Sequence, residues 1–562
     1  GGVDKTATIN GGRTLYGDSG MTHRLTLTDD MASATVLLSS SYDHTNVNQS
    51  AGFSGIVVND AVNNGEQRVS LTMESDTTLP VKIGSSASGE HLETALSITG
   101  DVKTLVTLTT LGIYGEQKGV CVKGAENNRP TVTLTGDGTG VAEQPVTAST
   151  GVVADYAILT MENYAIGDTT TPCSEGATVE HSTFVLKNST VTAGSTGMTL
   201  KDSTTAALDN VDVTSTGSGV VIENQTNVTL TGTINVTAAQ TAVSVAGGST
   251  LQNTSGSGTF NTTTDGTALL VDDNSTVTLK QYTFRAEGSN GCGVKATGAS
   301  MLDLAYDMTS GTTGKNIIWG DQDGLHIGTG STATVKNYHI IGSTVDTAAT
   351  ATTGRYGARV DGMLHLDGEN HILGAQCGLF VSGGMVTNYR SGESWTDEKT
   401  GAPAGSGTIT GGKAAGADGV RIYGGKLTLG GYTVATNDHS GLVAGQSAEV
   451  YLRCTGITGY KADGVSVDGG ACVTIDDAIV KTDGSGTGTD YAARVKNGTL
   501  NLGAAVTVQT GTTGNAVAAV LGESADNAKL FIADANEVIT AEGSFYAVTG
   551  YVTQRRDLTV VN

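Results

Sequence analysis

A short phrase returns along this chain about every 21 to 28 residues. Each copy opens on a glycine or alanine, which is followed by two apolar residues with one residue between them. Copies open at Gly419, Gly441, Gly464 and Ala492, and others precede them. A fixed period of this length is typical of a solenoid, in which one repeat cannot bury its apolar face alone and must stack on its neighbours.

Within each copy, which we call a coil, apolar residues alternate with polar ones as they do in half-buried strands. In the coil that opens at Gly419, Val420 and Ile422 are predicted to point inward, and Leu427 and Leu429 do so in a second run. Glycine, asparagine and aspartate separate the runs, and these residues favour turns. We therefore predict an all-β, single-stranded parallel β-helix with about three strands in each coil of 21 to 28 residues.

Composition favours one continuous solenoid over several globular domains. Glycine supplies 80 of 562 residues and proline only 5, and no linker rich in proline or serine interrupts the repeat. We expect the β-helix to cover residues 54–544, with loop insertions near 303–323 and 389–405. Residues 1–53 are expected to form a strand-rich cap or irregular first coils, and residues 545–562 a second cap. Caps would cover sheet edges that are otherwise prone to association.

The formal net charge of −24 limits the class of partner. An acidic surface does not attract nucleic acid or an anionic membrane, so neither is expected as a partner. No stretch reaches about 18 consecutive apolar residues, so no membrane span is expected. The first residues lack the basic start and apolar stretch of a signal peptide, so an exported form would be a mature or trimmed chain. We expect an extracellular or cell-surface protein.

The coil length, the three strands in each coil and the strands rich in glycine, threonine and valine resemble the right-handed parallel β-helix of pectin-lyase-like proteins. Within that class the chain is similar to the adhesins and autotransporter passengers of bacterial surfaces. The resemblance implies a right-handed solenoid, a handedness that parallel crossovers also favour in general. The same class contains polysaccharide lyases, glycoside hydrolases and phage tailspikes, so the fold alone does not decide the function.

The catalytic signatures that this resemblance would imply for a hydrolase are Asn-Thr-Asp, Asp-Asp, His-Gly and Arg-Ile-Lys, and the chain has no Asn-Thr-Asp, His-Gly or Arg-Ile-Lys. Asp-Asp pairs begin at Asp29, Asp272 and Asp476, where we expect turn carboxylates. The sequence thus favours a non-catalytic protein.

Asp-Gly turns recur at one point of the repeat, at Asp323, Asp418 and Asp463. Carboxylates at matching positions of a solenoid could form a ladder that attracts calcium. Asp-Gly is also ordinary turn chemistry, and the three are not on consecutive coils. We expect no cofactor, and calcium is the one cation that the pattern leaves open.

Both tryptophans fall in the inserted segments, beside charged residues. Loops on a rigid solenoid commonly carry binding functions, and an aromatic ring beside charged groups suits a sugar or a protein surface. The alternative is that each tryptophan packs its own segment onto the solenoid. The candidate ligand-binding residues are Trp319, Asp321, Asp323, His326, His365, Tyr389, Arg390, Glu393, Trp395 and Asp397.

Histidines and cysteines give weaker indications. His326 and His365 each lie between inward residues, so both are predicted to face solvent. His339 and His371 share a local phrase and are predicted to stack on adjacent coils, about 5 Å apart. The six cysteines show no CxxC pair, no metal-ligand spacing and no two matching repeat positions.

Three functions remain open. The first is a non-catalytic exported bacterial surface rod, an adhesin or structural stalk that binds a host or neighbouring-cell glycan or protein through its inserted loops. The second is a carbohydrate-active enzyme, either a polysaccharide lyase or a glycoside hydrolase, with its site near residues 319–399. Its candidate acids would be Asp321, Asp323, Glu393 and Asp397, with Arg390 or Lys399 as the base or as a charge partner. The third is a self-assembling filament or multimer subunit.

Overall fold

The computed structural model consists of strands, turns and bends, and no helix occurs among the residues it describes. The described part of the chain therefore contains no helix that is long and apolar enough to cross a membrane. The described residues are 7–9, 26–27, 34–38, 54–59, 70–73, 82–83, 92–100, 102, 105–110, 112–136, 144–307, 316–391, 394–396, 402–453, 456–482, 491–503, 506–510, 517–521, 528–532, 546–547 and 551–554.

The chain divides into two compact units, Gly1–Phe260 and Asn261–Asn562. Strands of the first unit are Ala7–Ile9, Thr26–Leu27, Ala34–Leu38, Ser54–Asn59, Ser70–Met73, Lys82–Ile83, Leu92–Thr99, Leu105–Thr110, Gly112–Lys123, Thr131–Gly136, Gln144–Thr147, Thr150–Asp155, Ile158–Glu162, Tyr164–Ile166, Cys173–Glu180, Thr183–Lys201, Thr205–Ser215, Ser218–Ile222, Asn227–Ala238, Thr241–Val245 and Thr250–Asn253. The strand Ser257–Thr262 contains the boundary.

Strands of the second unit are Thr267–Val271, Thr276–Lys280, Tyr282–Ala286, Cys292–Ala296, Met301–Ala305, Ile317–Gly320, Asp323–Ile327, Thr332–Lys336, His339–Gly342, Tyr356–Val360, Met363–Gly374, Cys377–Ser382, Met385–Thr387, Tyr389–Ser391, Ser394–Thr396, Ala402–Pro403, Gly405–Gly411, Asp418–Tyr423, Lys426–Gly430, Tyr432–Thr436, Leu442–Gly445, Glu449–Arg453, Gly456–Gly459, Val465–Val467, Ala471–Asp476, Ile479–Thr482, Tyr491–Val495, Gly498–Leu502, Thr507–Thr510, Val517–Leu521, Ala528–Ile532, Tyr546–Ala547 and Tyr551–Gln554.

The predicted fold class is confirmed, because the strands pair in parallel from coil to coil. The chain is an all-β parallel solenoid with about 25 residues per coil and about 15 coils, matching a right-handed β-helix. A typical coil has three strands, as in Asp418–Tyr423, Lys426–Gly430 and Tyr432–Thr436. Each strand pairs with the corresponding strand of the next coil, such as Leu442–Gly445 for the first strand.

Like residues stack in columns inside each unit. In the first unit, one column of second strands contains Leu134, Met161, Leu186, Leu208 and Leu230, all at most 2% exposed. Parallel strands in register place such side chains about 4.8 Å apart, so each coil completes the apolar contacts of its neighbours. Most of the stabilising apolar burial is therefore made between coils.

The second unit repeats this arrangement. One column of first strands contains Leu325, Ala358, Leu379, Val420 and Leu442, all with no exposed surface. The other inward residues predicted for the Gly419 coil are equally buried; they are Ile422, Leu427 and Leu429. The alternation in the sequence thus reports the inward face correctly.

The glycine that opens a coil is required by close approach of the third strand. A Cβ atom on Gly419 would lie 2.6 Å from the Ala435 carbonyl oxygen and 2.8 Å from Val434 Cγ1. Alanine occupies the same point of the repeat at Ala492, where the strands leave room for one carbon.

We expect Gly419→Val to destabilise the protein by about 1 to 3 kcal/mol, because three side-chain carbons must enter a filled corner. Chemical denaturation of the full chain measures this. Ala492→Gly is the matched control and should cost less, since it creates only a methyl-sized space. Equal effects of the two substitutions would contradict this account of the opening glycine.

The two inserted segments differ in structure. Met301–Ala305 and Ile317–Gly320 are strands of the solenoid itself, and residues 308–315 between them lie outside the described residues. From Tyr389 to Pro403 the chain leaves the solenoid and forms a three-stranded antiparallel sheet. The predicted caps, 1–53 and 545–562, lie outside the described residues except for five short strands.

Candidate functional site

The first strands of the second unit carry a row of large polar and aromatic side chains on their outward side. The register places His326, Arg359, Phe380 and Arg421 next to one another on successive coils. All four are partly exposed. We call this row, together with the groups that contact it, the first-strand face.

At one end of the face, Asp361 holds a histidine and an arginine. Its Oδ2 atom lies 3.1 Å from His326 Nε2 and accepts a hydrogen bond from Arg359 Nε at 3.0 Å. The Asp361 side chain is only 15% exposed, so the ion pair is well shielded from water. Burial is the main cause that lowers the pKa of His326, which favours its neutral form.

At the other end of the first-strand face, Asp418 contacts a histidine and an arginine in a similar way. Its Oδ1 atom lies 2.7 Å from His439 Nδ1, and its Oδ2 atom accepts a hydrogen bond from Arg421 Nε at 2.7 Å. The carboxylate is almost fully buried, whereas His439 is 46% exposed. The hydrogen bond to Asp418 raises the pKa of His439. This end of the face therefore presents an oriented imidazole that is more basic than usual.

Phe380, whose coil lies between the coils of Asp361 and Asp418, belongs to a group of three aromatic rings. Phe380 stacks on Tyr356 with ring centroids 4.7 Å apart, and Tyr423 meets Phe380 edge-on at 6.2 Å. The guanidinium of Arg355 lies 4.9 Å from the centre of the Tyr356 ring. The face thus combines a rigid aromatic surface with hydrogen-bond donors on both sides.

The three Asp-Gly aspartates do line up along the solenoid. The register takes Asp323 through Tyr356 and Cys377 to Asp418. The pairs Val420–Leu442 and Leu442–Val465 continue the same row to Asp463. Each of the three carboxylates is at most 7% exposed, and each accepts a hydrogen bond from a backbone N–H of the following coil; the donors are Tyr356, Ser440 and Tyr491. This contact supports the turn role of the motif.

The same row contains two cysteines, Cys292 and Cys377. The expectation that no two cysteines occupy matching positions is therefore wrong, because insertions of different lengths hide the register in the sequence. The two are three coils apart and both are free thiols. They cannot be linked to each other without displacing the backbone.

Trp319 packs onto the solenoid. Its indole N–H donates to Asp321 Oδ1 at 3.2 Å, and the guanidinium of Arg285 lies 4.8 Å from its ring. The ring also contacts a buried cluster that contains Ile341 and Leu373. Asp321 accepts a second hydrogen bond from the backbone N–H of Gly288, at 2.9 Å. These contacts favour the packing interpretation of Trp319.

The antiparallel sheet at Tyr389–Pro403 covers the outward side of the second strands. Tyr389 is fully buried, and its ring lies 6.1 Å from that of Tyr451. Arg390 donates to Asp367 Oδ2 at 3.2 Å. Both residues therefore fasten the sheet to the solenoid: Tyr389 is fully buried, and the partly exposed Arg390 is held by Asp367.

His365 does not face solvent as predicted. It lies on the outward side of its strand but is only 5% exposed. Thr387 and Thr428, in the same row, are buried as well, because a second layer covers this part of the solenoid. Burial, with a smaller contribution from Arg390, lowers the pKa of His365 to about 4.

Glu393 and Asp397 lie outside the described residues, as does the side chain of Trp395. Of the predicted residues, the structure brings Asp323 and His326 to the first-strand face. Trp319 and Asp321 lie together at the end of a third strand, and Arg390, in the antiparallel sheet, lies close to His365.

The predicted histidine pair is confirmed. His339 and His371 are partners in the register, with ring centroids 4.7 Å apart. His371 Nε2 lies 3.1 Å from Glu369 Oε1, and its Nδ1 lies 2.9 Å from Thr408 Oγ1.

Sequence reasoning missed most of the first-strand face, which includes Arg359, Asp361, Phe380, Arg421 and Tyr423. A signal was available, since four of these residues are outward positions of first strands in three successive coils. Aligning the coils on their opening glycines would have placed Phe380 between the two arginines.

The fold and the first-strand face together define the class of protein: it is a parallel β-solenoid with an aromatic and charged surface along the first strands of successive coils. Comparison with protein-family models and with curated proteins finds no match to the chain.

Proposed function

We propose that the protein is a non-catalytic, exported bacterial surface protein of the adhesin or stalk type, and that it binds glycan through the first-strand face. The observation that carries this proposal is the aromatic group of Tyr356, Phe380 and Tyr423, flanked on both sides by a carboxylate that holds an arginine and a histidine. The proposal moves the binding surface from the inserted segments to the strands.

The chemistry of the face suits a sugar chain. The C–H faces of a pyranose ring pack on aromatic rings, and the partly exposed Phe380 and Tyr423 are placed to receive them. Arginine and histidine side chains fixed by buried carboxylates donate hydrogen bonds without first losing conformational freedom. Successive coils are about 4.8 Å apart, so an extended chain lying along the face meets a new side chain at each coil.

An enzyme is the second candidate, and one observation favours it. Asp418 orients His439 and raises its pKa, which is how a carboxylate prepares an imidazole for proton transfer. Against it, Asp321 and Asp323 already accept hydrogen bonds from Trp319 and from backbone N–H groups. A glycosidase requires two accessible carboxyl groups beside the scissile bond.

The test is a glycan array probed with the full chain, followed by affinity measurements on any glycan that binds. We expect Phe380→Ala and Tyr423→Ala each to weaken binding by about tenfold or more, because truncating a central aromatic contact typically costs over about 1.4 kcal/mol. Thermal unfolding of each variant establishes that it remains folded.

The control is Trp319→Ala, which removes an aromatic side chain of the same region outside the first-strand face. It should leave glycan binding unchanged. Loss of binding in Trp319→Ala with full binding in Phe380→Ala would return the site to the inserted segments. Release of reducing ends from a bound glycan, abolished by His439→Gln, would establish the enzyme instead.

A further inference from the structure

A second cluster of functional side chains lies in the first unit, at the end of two neighbouring first strands. Thr150–Asp155 and Cys173–Glu180 pair in parallel, and the register sets Asp155 directly opposite Glu180. Each strand ends there, and the next residue in each coil, Tyr156 or His181, has a positive φ of 49°. Because both coils have the same backbone conformation at this point, the side chains of Tyr156 and His181 lie over each other.

The imidazole of His181 is held in a fixed orientation. Its ring stacks on that of Tyr156 with centroids 4.3 Å apart and only 4° between the planes. In this position His181 Nδ1 lies 3.2 Å from Asp155 Oδ1. The carboxylate of Glu180 approaches the same point, because a ligand atom from each of the three residues lies within 4.8 Å of the other two.

We propose that Asp155, Glu180 and His181 bind a divalent transition-metal ion, with Zn²⁺ as the best-fitting example. Ligand atoms of a tetrahedral Zn²⁺ site are about 3.4 Å apart, given bonds of about 2.1 Å. The histidine and aspartate atoms, 3.2 Å apart, are already close to this separation, and a Glu180 carboxylate oxygen lies within 4.8 Å of both. One nitrogen and two oxygen ligands favour Zn²⁺ over Ca²⁺, which takes oxygen ligands only.

The site is open to solvent, so a metal bound there could also bind a ligand, which a closed structural metal site does not allow. All three residues are partly exposed, so a metal held by them keeps at least one position for water or for a donor atom from another molecule. A metal at this place would therefore be a contact point for a ligand rather than a clamp on the fold.

Lys201 competes with the metal. Its ammonium group lies 2.8 Å from Glu180 Oε1, in the next coil of the same row. Replacing it with an uncharged residue frees the carboxylate and removes a positive charge from the site. Lys201→Gln should accordingly bind Zn²⁺ more tightly, by about tenfold for each 1.4 kcal/mol of repulsion that is removed.

The experiment is isothermal titration of the full chain with ZnCl₂, followed by the same titration with CaCl₂. We expect one Zn²⁺ site, no comparable Ca²⁺ site, and loss of the Zn²⁺ site in Asp155→Asn and in His181→Ala. The loss should be about 100-fold or more, since even a supporting partner of a metal ligand typically contributes 10-fold to 100-fold. Zn²⁺ binding should weaken on acidification, because the metal takes the neutral imidazole.

The matched control is His371→Ala, which removes another histidine that contacts a carboxylate. It should leave Zn²⁺ binding unchanged. In an NMR titration with ZnCl₂, the signal of the His181 ring should shift both in wild type and in this control. Equal binding by wild type and His181→Ala, or loss in His371→Ala alone, would overturn the assignment. So would the absence of Zn²⁺ binding in both wild type and Lys201→Gln.

Discussion

We expect Asp418→Ala to destabilise the local structure around the first-strand face by about 3 kcal/mol, since it removes a buried carboxylate that accepts several hydrogen bonds, and a hydrogen bond to a charged group contributes about 1.5 to 3 kcal/mol. Asp418 is 1% exposed, and its carboxylate serves Arg421, His439 and the backbone N–H of Ser440 at once. Native-state hydrogen exchange of the full chain measures the effect. The Ser440 amide should exchange about 100-fold faster, as 1.36 kcal/mol corresponds to a factor of ten.

Two controls separate the effect of the buried carboxylate from that of an ordinary surface charge. Lys461→Gln removes a lysine that pairs with Asp438 but is 47% exposed, and it should change exchange rates little. Asp418→Asn keeps an acceptor for the Ser440 amide and should have an intermediate effect. An Asp418→Ala protein whose Ser440 amide exchanges at the wild-type rate would show that these contacts contribute little.

We also expect the protein to lose stability as the pH falls from about 6.5 to about 4, because of His365. The pKa of this histidine is lowered from 6.5 to about 4 in the folded protein. Above pH 6.5 both folded and unfolded forms carry a neutral imidazole, so there is no penalty. Between the two values only the unfolded form takes up the proton, and the accumulated loss is about 3 kcal/mol.

His365→Thr tests this expectation, because Thr334 and Thr387 already occupy the same row on the neighbouring coils. Urea unfolding of both proteins at several pH values should show a flatter pH dependence in the variant between pH 6.5 and 4. The difference between the two curves should approach 3 kcal/mol, within a factor of about two. His339→Ala, which removes an exposed histidine, should retain the wild-type dependence. Parallel curves for wild type and His365→Thr would contradict the assignment.

The sequence predicts the fold well because the inward residues recur at the same positions of each repeat. Alternation at Val420 and Ile422 translates directly into burial, and a column needs only a like residue one coil later. The stacked histidines His339 and His371 were predicted for the same reason, since a shared phrase reports a shared position.

The outward side is harder to predict, because its environment is set by segments that do not follow the repeat. His365 lies between two inward residues, as a solvent-facing residue would. The antiparallel sheet that begins at Tyr389 nevertheless buries the row of outward side chains that contains His365. The first-strand face escaped notice because its partners are far apart in the chain. His326 and Asp361 are separated by 35 residues, and only a coil-by-coil alignment brings them together.

The two carboxylate sets of the first-strand face belong to different coils, with the coil of Phe380 between them. Their separation along the solenoid is therefore a whole number of strand spacings, each about 4.8 Å. Deleting or duplicating one coil would change that separation by one step while every remaining coil kept a compatible neighbour. A binding surface built in this way can be retuned to ligands of different length in discrete increments, without redesign of any single contact.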